Sequence, residues 1–111
     1  MNKSLNCYRL LVDVAKAMPG LIARFPRGEG YLIDQLKRAL ASAILNLAEG
    51  NGRFSNKERN RFFNISLGSI NEVISAIEIS NAYGYITYEY SQILINNLRY
   101  SYNMIRKLRK F

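Results

Sequence analysis

Two stretches of the chain concentrate basic side chains that can bind an anion. Residues 53–61 contain four basic residues and one acidic residue, and residues 99–110 contain five basic residues and no acidic one. Residues 62–98, between them, contain no Lys or Arg. Arginine can bridge two phosphate oxygens with parallel hydrogen bonds, and lysine attracts phosphate as a compact charge. The candidate anion-binding residues are Arg53, Lys57, Arg59, Arg61, Arg106, Lys107 and Arg109.

Catalytic and metal-binding chemistry finds little support in the sequence. There is no histidine, which removes the commonest general base and the commonest zinc ligand. The eight carboxylates are scattered, and Gly50-Asn-Gly-Arg53 lacks the Gly-Lys-Ser/Thr ending of a phosphate-binding loop. We therefore predict no catalysis, no cofactor and no metal. Cys7 is the only cysteine, which fits a reducing cytoplasm, and we predict a cytoplasmic location.

Size and charge favour one basic globular domain. The chain has 111 residues, of which 49% are hydrophobic, and its formal net charge is +8. We predict a single domain over residues 1–111 with one core. A positive charge of this size favours a partner such as nucleic acid or an anionic membrane. Membrane insertion is the weaker alternative, because the basic segments lack a broad exposed apolar face.

Apolar residues recur at three- and four-residue steps in four segments, which predicts four helices. Their expected bounds are about 4–24, 31–49, 55–82 and 88–109. Pro19-Gly20 predicts a kink or break in the first helix. Gly50-Asn51-Gly52 is expected to stop the second through a left-handed glycine. Ser55 and Glu58 form a capping-box pattern for the third, and Gly84 and Thr87 suit its end and the next start. In the fourth helix we expect these residues to face inward: Ile93, Leu94, Leu98, Ser101, Ile105 and Leu108.

Helices of equal length and short loops predict an all-α fold, namely an antiparallel up-down-up-down four-helix bundle. One end would then collect eleven of the sixteen basic residues, Lys3 among them, and two of the eight acidic ones. Cations complement the dipole at the end of the fourth helix, but Lys57, Arg59 and Arg61 lie where the dipole of the third disfavours them. This favours a functional anion site over merely solvated charge. Phe54, Tyr100 and Tyr102 are candidates for stacking on unpaired bases, although packing is the commoner role of a helical tyrosine.

A run of motifs resembles a known family. The motifs are Asn46-Leu-Ala-Glu-Gly50-Asn-Gly-Arg53, Ser55-Asn-Lys-Glu58, Gly68-Ser and Tyr83-Gly-Tyr-Ile86. In combination they are similar to the four-helix bundle proteins first associated with intervening sequences in bacterial 23S ribosomal RNA genes, over roughly residues 8–107. The resemblance implies a homopentamer without known enzymatic activity. The chain is also similar to the accessory variability proteins of diversity-generating retroelements, which implies binding to nucleic acid and to a reverse transcriptase.

The matched motif residues are Asn46, Glu49, Gly50, Gly52, Arg53 and Gly68. Glu49 is expected to pair with Arg53 and Asn46 to cap the following loop, while direct ligand contact stays an open alternative. Gly68, in mid-helix, suggests a close approach of another helix, within or between subunits. The chain departs from the family pattern at Arg59, where an aromatic residue is usual.

The sequence predicts a non-catalytic protein that binds RNA or DNA with low sequence specificity. The alternative function is an assembly scaffold that docks an acidic partner. The type of nucleic acid, the subunit count and the cellular role stay open.

Overall fold

A computed structural model describes the backbone of residues 3–111 and the side chains from residue 5 onward. This part of the chain forms four α-helices, α1 (Lys3–Ile22), α2 (Gly30–Asn51), α3 (Asn56–Ala82) and α4 (Tyr88–Leu108), and contains no strand. The all-helical prediction is confirmed, and the expected bounds hold to within two residues. The molecule measures 45 × 25 × 20 Å, and its long dimension is close to the ~40 Å that 27 helical residues span. The side chain of Lys3 lies outside the described residues.

The predicted caps form at the two later helices. The Ser55 hydroxyl accepts a hydrogen bond from the Glu58 amide at 3.1 Å, and Thr87 caps α4 in the same way through the Tyr90 amide. Gly84 has a φ of +81°, so the chain leaves α3 through a left-handed residue as expected. The N-cap bond and the left-handed turn fix where α3 begins and ends.

Neither the break considered at Pro19 nor the left-handed glycine expected at the end of α2 occurs. The first helix is not broken at Pro19, because α1 continues to Ile22 and the Ala23 amide bonds to the Pro19 carbonyl at 3.1 Å. Proline removes one amide donor, and in the last turn of a helix that loss interrupts little of the hydrogen-bond ladder. The second helix runs through Gly50 to Asn51, and Gly52 has a right-handed φ of −88°. No left-handed glycine is therefore needed at this end.

One apolar residue of α4 also differs from expectation. Ile93 is 65% exposed, whereas Ile95 is buried. The stripe that enters the core follows Leu94, Leu98, Ser101 and Ile105, and Ile93 lies off this stripe by one helical step.

Helices α2 and α3 approach each other closely along their length. The Ser66 hydroxyl donates to the Ala43 carbonyl at 2.7 Å, and the Ser42 and Ser69 hydroxyls lie 2.7 Å apart. A Cβ atom on Gly50 would lie 2.5 Å from the ring of Phe63, which is fully buried. Small side chains therefore bring the end of α2 against the beginning of α3.

Candidate functional site

The two basic stretches meet at one end of the molecule. The Asn60 carboxamide hydrogen-bonds both the amide and the carbonyl of Lys110, with the Lys110 amide 2.9 Å from Asn60 Oδ1. One turn further on, the Arg109 guanidinium donates to Asn64 Oδ1 at 3.0 Å. The two residues that follow α4 are thus bonded to the first turns of α3. We call this region the basic end and define it by the seven candidate anion-binding residues.

The guanidinium groups of Arg53 and Arg61 both lie over the ring of Phe62. Their guanidinium carbons lie 4.8 and 5.0 Å from the centroid of the Phe62 ring. Arg53 also pairs with Glu49 at 2.9 Å, which confirms that expected contact, and Arg61 lies 3.9 Å from Glu58. The arginines are largely exposed, so these pairs contribute little to stability. Two like charges on one ring repel each other, and an anion between them would relieve that repulsion.

Arg59 has a structural partner, which corrects part of the dipole argument. Its guanidinium donates to the carbonyls of Asn51 and Arg53, each at 3.3 Å. These carbonyls lie at and just after the C-terminus of α2, where the helix dipole favours a cation. Arg59 therefore stabilises the end of α2, although the dipole of its own helix disfavours it.

The remaining cations of the basic end differ in whether their charged groups have partners within the chain. Arg109 is half-buried and holds Asn64, and its Nε also donates to the Arg106 carbonyl at 3.2 Å. Lys57, Arg106 and Lys107 are exposed, and no contact within the described part of the chain engages their charged groups. These three cations, with Arg53 and Arg61, are the ones that an anion can reach most directly.

The matched motif has a different structural role at each position. Asn46 donates back to the Ser42 carbonyl at 2.8 Å and to its hydroxyl at 3.2 Å. The expectation that it caps the loop is wrong, because its amide is one turn too early in α2 and bonds within that helix. Gly50 provides the space that Phe63 occupies, whereas Gly52 is an exposed loop residue. A Cβ on Gly68 would meet no described atom within 4 Å, so no helix approaches it within the subunit.

Three further residues contact the basic end and were not predicted from the sequence. Asn60 and Asn64 join α3 to α4, and Phe62 receives both arginines. The spacing of four residues between the two asparagines places them on one helix face, which was a usable pattern. Phe62 had no such pattern, because an aromatic beside a buried Phe63 is indistinguishable from a core residue. Of the suggested stacking residues, Phe54 and Tyr100 are exposed, whereas Tyr102 is half-buried against the core.

Two titratable groups outside the set of candidate anion-binding residues have shifted pKa values. Burial raises the pKa of the Cys7 thiol to about 11, partly opposed by a backbone hydrogen bond, so the thiol stays protonated near neutral pH. The Tyr85 hydroxyl donates to Glu29 Oε1 at 2.6 Å, and this bond, followed by burial and the charge of Glu29, raises the pKa of Tyr85 to about 12. Among residues 5–111, no cluster of three or more acidic or cysteine side chains is placed to hold a metal ion. No helix in the described part is both long and apolar enough to cross a membrane.

Comparison with known families gives a match over nearly the whole described chain. Residues 3–107 match the sequence profile of the family described as 23S rRNA-intervening sequence protein. The chain belongs to this family. The match includes the α2–α3 junction and α4 up to Lys107, whereas Arg109 and Lys110 lie beyond it. A comparison with curated proteins gives no match.

Proposed function

We propose that this protein is a non-catalytic nucleic-acid-binding helical bundle whose basic end contacts the phosphate backbone. The observation that carries the proposal is the attachment of α4 to α3 through Asn60 and Lys110, which unites two basic stretches separated by 37 residues without Lys or Arg. Neutralising phosphates releases condensed counterions, and this gain does not depend on base sequence. The proposal therefore includes low sequence specificity and no cofactor or metal.

Salt dependence tests this proposal directly. Fluorescence anisotropy with labelled single-stranded RNA and DNA should detect binding at low salt. The logarithm of the affinity should fall linearly with the logarithm of salt concentration, with a slope of about −0.7 for each phosphate neutralised on a single strand. Absence of affinity for both nucleic acids at low salt would contradict the proposal.

We also propose an antiparallel up-down-up-down arrangement that assembles as a homo-oligomer, with the pentamer that the resemblance implies. Residues 42 and 43 of α2 meet 69 and 66 of α3, and residues 60 and 64 of α3 meet 110 and 109 near the end of α4. In both pairs the residue numbers run in opposite directions. This order supports the antiparallel arrangement.

Two exposed features support the oligomer. Between α1 and α2 lies an open groove of about 760 Å³ whose only charged lining residue is Lys37; its lining is Ala15, Met18, Pro19, Ile22, Ala23, Lys37, Leu40, Ala41, Ile44 and Leu45. Gly68 is the second feature: a mid-helix glycine costs ~1 kcal/mol relative to alanine, and nothing within the subunit explains it. Gly68→Gln should lower the oligomer mass in native mass spectrometry without loss of helicity, whereas Asn96→Gln, an exposed control on α4, should not. An unchanged mass in the Gly68 variant counts against close contact there.

The second candidate function is a protein scaffold, and the same apolar groove favours it, because nucleic acid offers no matching apolar surface. In this alternative the basic end docks an acidic protein. Purification without added nucleic acid distinguishes the two: a stoichiometric acidic protein that resists nuclease treatment favours the scaffold, and nuclease-sensitive material absorbing at 260 nm favours the first proposal.

The reverse-transcriptase partner and the cytoplasmic location also belong to this proposal. The resemblance of the sequence to retroelement accessory proteins supports the first, and the single buried thiol of Cys7 supports the second. Co-expression with a reverse transcriptase from the same gene neighbourhood should give a complex that survives size-exclusion chromatography. Separate elution of the two proteins would contradict the proposal of a reverse-transcriptase partner.

A further inference from the structure

Phe54 is displayed at the basic end without any packing role. Its side chain is fully exposed, and only Phe111 approaches it in exposure among the large hydrophobic side chains that the structure describes. A phenylalanine in water forgoes the stabilisation that burial would give it. An exposed aromatic ring between Arg53 and Arg59 therefore calls for a ligand that covers it.

The loop that carries Phe54 is held on both sides. The Gly52 amide bonds to the Glu49 carbonyl at 3.1 Å, and Arg59 binds the Arg53 carbonyl at 3.3 Å. Ser55, the next residue, caps α3. Because its neighbours are fixed, the ring is presented with little backbone freedom to lose on binding.

A small recess of about 260 Å³ opens beside the ring. It is lined by Ala48, Glu49, Gly52, Arg53 and Phe54. The Glu49 carboxylate, which pairs with Arg53, brings a negative charge to the lining of this recess. A phosphate placed inside the recess would be repelled by this carboxylate, whereas a neutral, flat group meets no such repulsion. The recess thus differs from the surface around Lys57 and Arg61, where positive charge is in excess.

We propose that Phe54 stacks on an unpaired base, so that the ligand of the basic end is single-stranded nucleic acid. This inference rests on the proposed function and adds the strandedness of the ligand. The base covers the ring beside the recess, and the adjoining phosphates lie against the exposed cations of α3. In a duplex the base faces are already covered by neighbouring bases, so the ring has nothing to stack on.

The test compares variants on matched probes. The probes are a single-stranded RNA carrying one 2-aminopurine, the same strand with abasic residues in place of its nucleotides, and an RNA duplex. Phe54→Ala should lower affinity for the intact strand by roughly 5- to 150-fold, the range that base–aromatic stacking gives. Affinities for the abasic strand and the duplex should not change, and neither should the salt slope. Phe54→Trp should retain binding and the change in 2-aminopurine fluorescence.

Tyr31→Ala is the control, since Tyr31 is also 80% exposed but lies at the beginning of α2, away from the basic end. It should leave all three affinities unchanged. Equal loss on all probes, or no loss in Phe54→Ala, overturns the inference while the proposed function stands. A change of oligomer mass in Phe54→Ala assigns the ring to a subunit contact and also overturns it. Failure of the unaltered protein to bind any probe overturns the proposed function itself.

Discussion

The two ends of the molecule differ in how completely their polar and charged groups are paired within the chain. At the aromatic end, defined by Phe25, Tyr83, Tyr85 and Tyr90, rings contact one another at centroid distances of 5.3 and 5.6 Å, and Arg24 lies 4.3 Å above Tyr90. Here polar groups have partners within the chain; for example, the Tyr85 hydroxyl donates a hydrogen bond to Glu29. At the basic end, cations outnumber acids, and Lys57, Arg106 and Lys107 point into solvent.

This contrast separates charge that maintains the fold from charge available to a ligand. The aromatic end stabilises two loops through contacts within the chain. The basic end is held together by contacts of Asn60, Asn64 and Arg59. The charged groups of Lys57, Arg106 and Lys107 take no part in these contacts. A surface with unused like charges is less stable alone than with an anion bound, which is the property expected of a binding site.

Charge reversal at each end should give the largest difference. We expect Arg53→Glu, Lys57→Glu and Arg61→Glu together to abolish nucleic-acid binding, because three phosphate contacts are replaced by repulsion. The loss of three contacts alone would reduce the salt slope by about 2 on a single strand. Anisotropy measures binding, and far-UV circular dichroism should show intact helicity, since the three side chains are exposed.

The matched control reverses Lys16, Arg24 and Arg27, which are exposed and lie in α1 or the α1–α2 connection. It changes net charge by the same amount and should retain most of the affinity. Equal loss in both triple variants would mean that net charge, and not the basic end, determines binding. Unchanged affinity in the first variant would refute the site.

Glycines at the two ends should respond to different substitutions. Gly50 needs space, so Gly50→Ala should destabilise the protein by about 1–3 kcal/mol through its contact with the Phe63 ring. Gly84 needs its left-handed conformation, so Gly84→Ala should cost about 1–2 kcal/mol, and Gly84→Asn less. Urea unfolding measures both. Asparagine at position 50 should be worse than alanine, and the reverse order there would show that Phe63 moves aside.

The sequence predicted the helices well because helix formation is local. Capping by Ser55 and Thr87, the left-handed Gly84 and the buried face of α3 all follow from residues within a few positions of each other. The role of Gly50 was predicted less well, because a second helix decides it. Gly50 reads as a helix terminator in sequence, but the ring of Phe63, thirteen residues away, makes it a packing residue.

The candidate site shows the same division. The local pair of Glu49 and Arg53 was predictable from a spacing of four residues. The attachment of Asn60 to Lys110 spans fifty residues and joins a side chain to the backbone, so no periodicity indicates it. The role of Arg59 was missed for a related reason, since its partners are backbone carbonyl groups at and just after the end of α2 and carry no side-chain signature.

Arg59 and Lys57 should separate the two uses of charge within the basic end. Arg59→Ala should lower stability by about 1 kcal/mol, because it leaves carbonyls at the end of α2 without their cation. Lys57→Ala should change stability by less than about 0.5 kcal/mol, as expected for an exposed surface residue. Thermal unfolding in the absence of nucleic acid measures this difference. Equal stability of the two variants would contradict a structural role for Arg59.

The smallest expected effect is confined to alkaline pH and to the aromatic end. The neutral Tyr85 hydroxyl donates to Glu29, and this bond, before burial and the nearby negative charge, raises the pKa of Tyr85 from 10.0 to about 12. The folded protein thus keeps this proton where the unfolded chain loses it. The bond's contribution to stability is complete below about pH 10 and is lost as the pH rises towards 12.

Tyr85→Phe isolates this contribution, since it removes the hydroxyl and leaves the ring contact with Phe25. The stability difference between the unaltered protein and the variant, from urea unfolding across a pH series, should be constant below pH 10 and then shrink. Cys7 also titrates in this range, because its buried thiol has a pKa of about 11. Both proteins carry Cys7, so its effect cancels in the difference. A difference that stays constant to pH 12 would mean that Glu29 does not hold the proton, and the aromatic end would then lack the internal pairing that distinguishes it from the basic end.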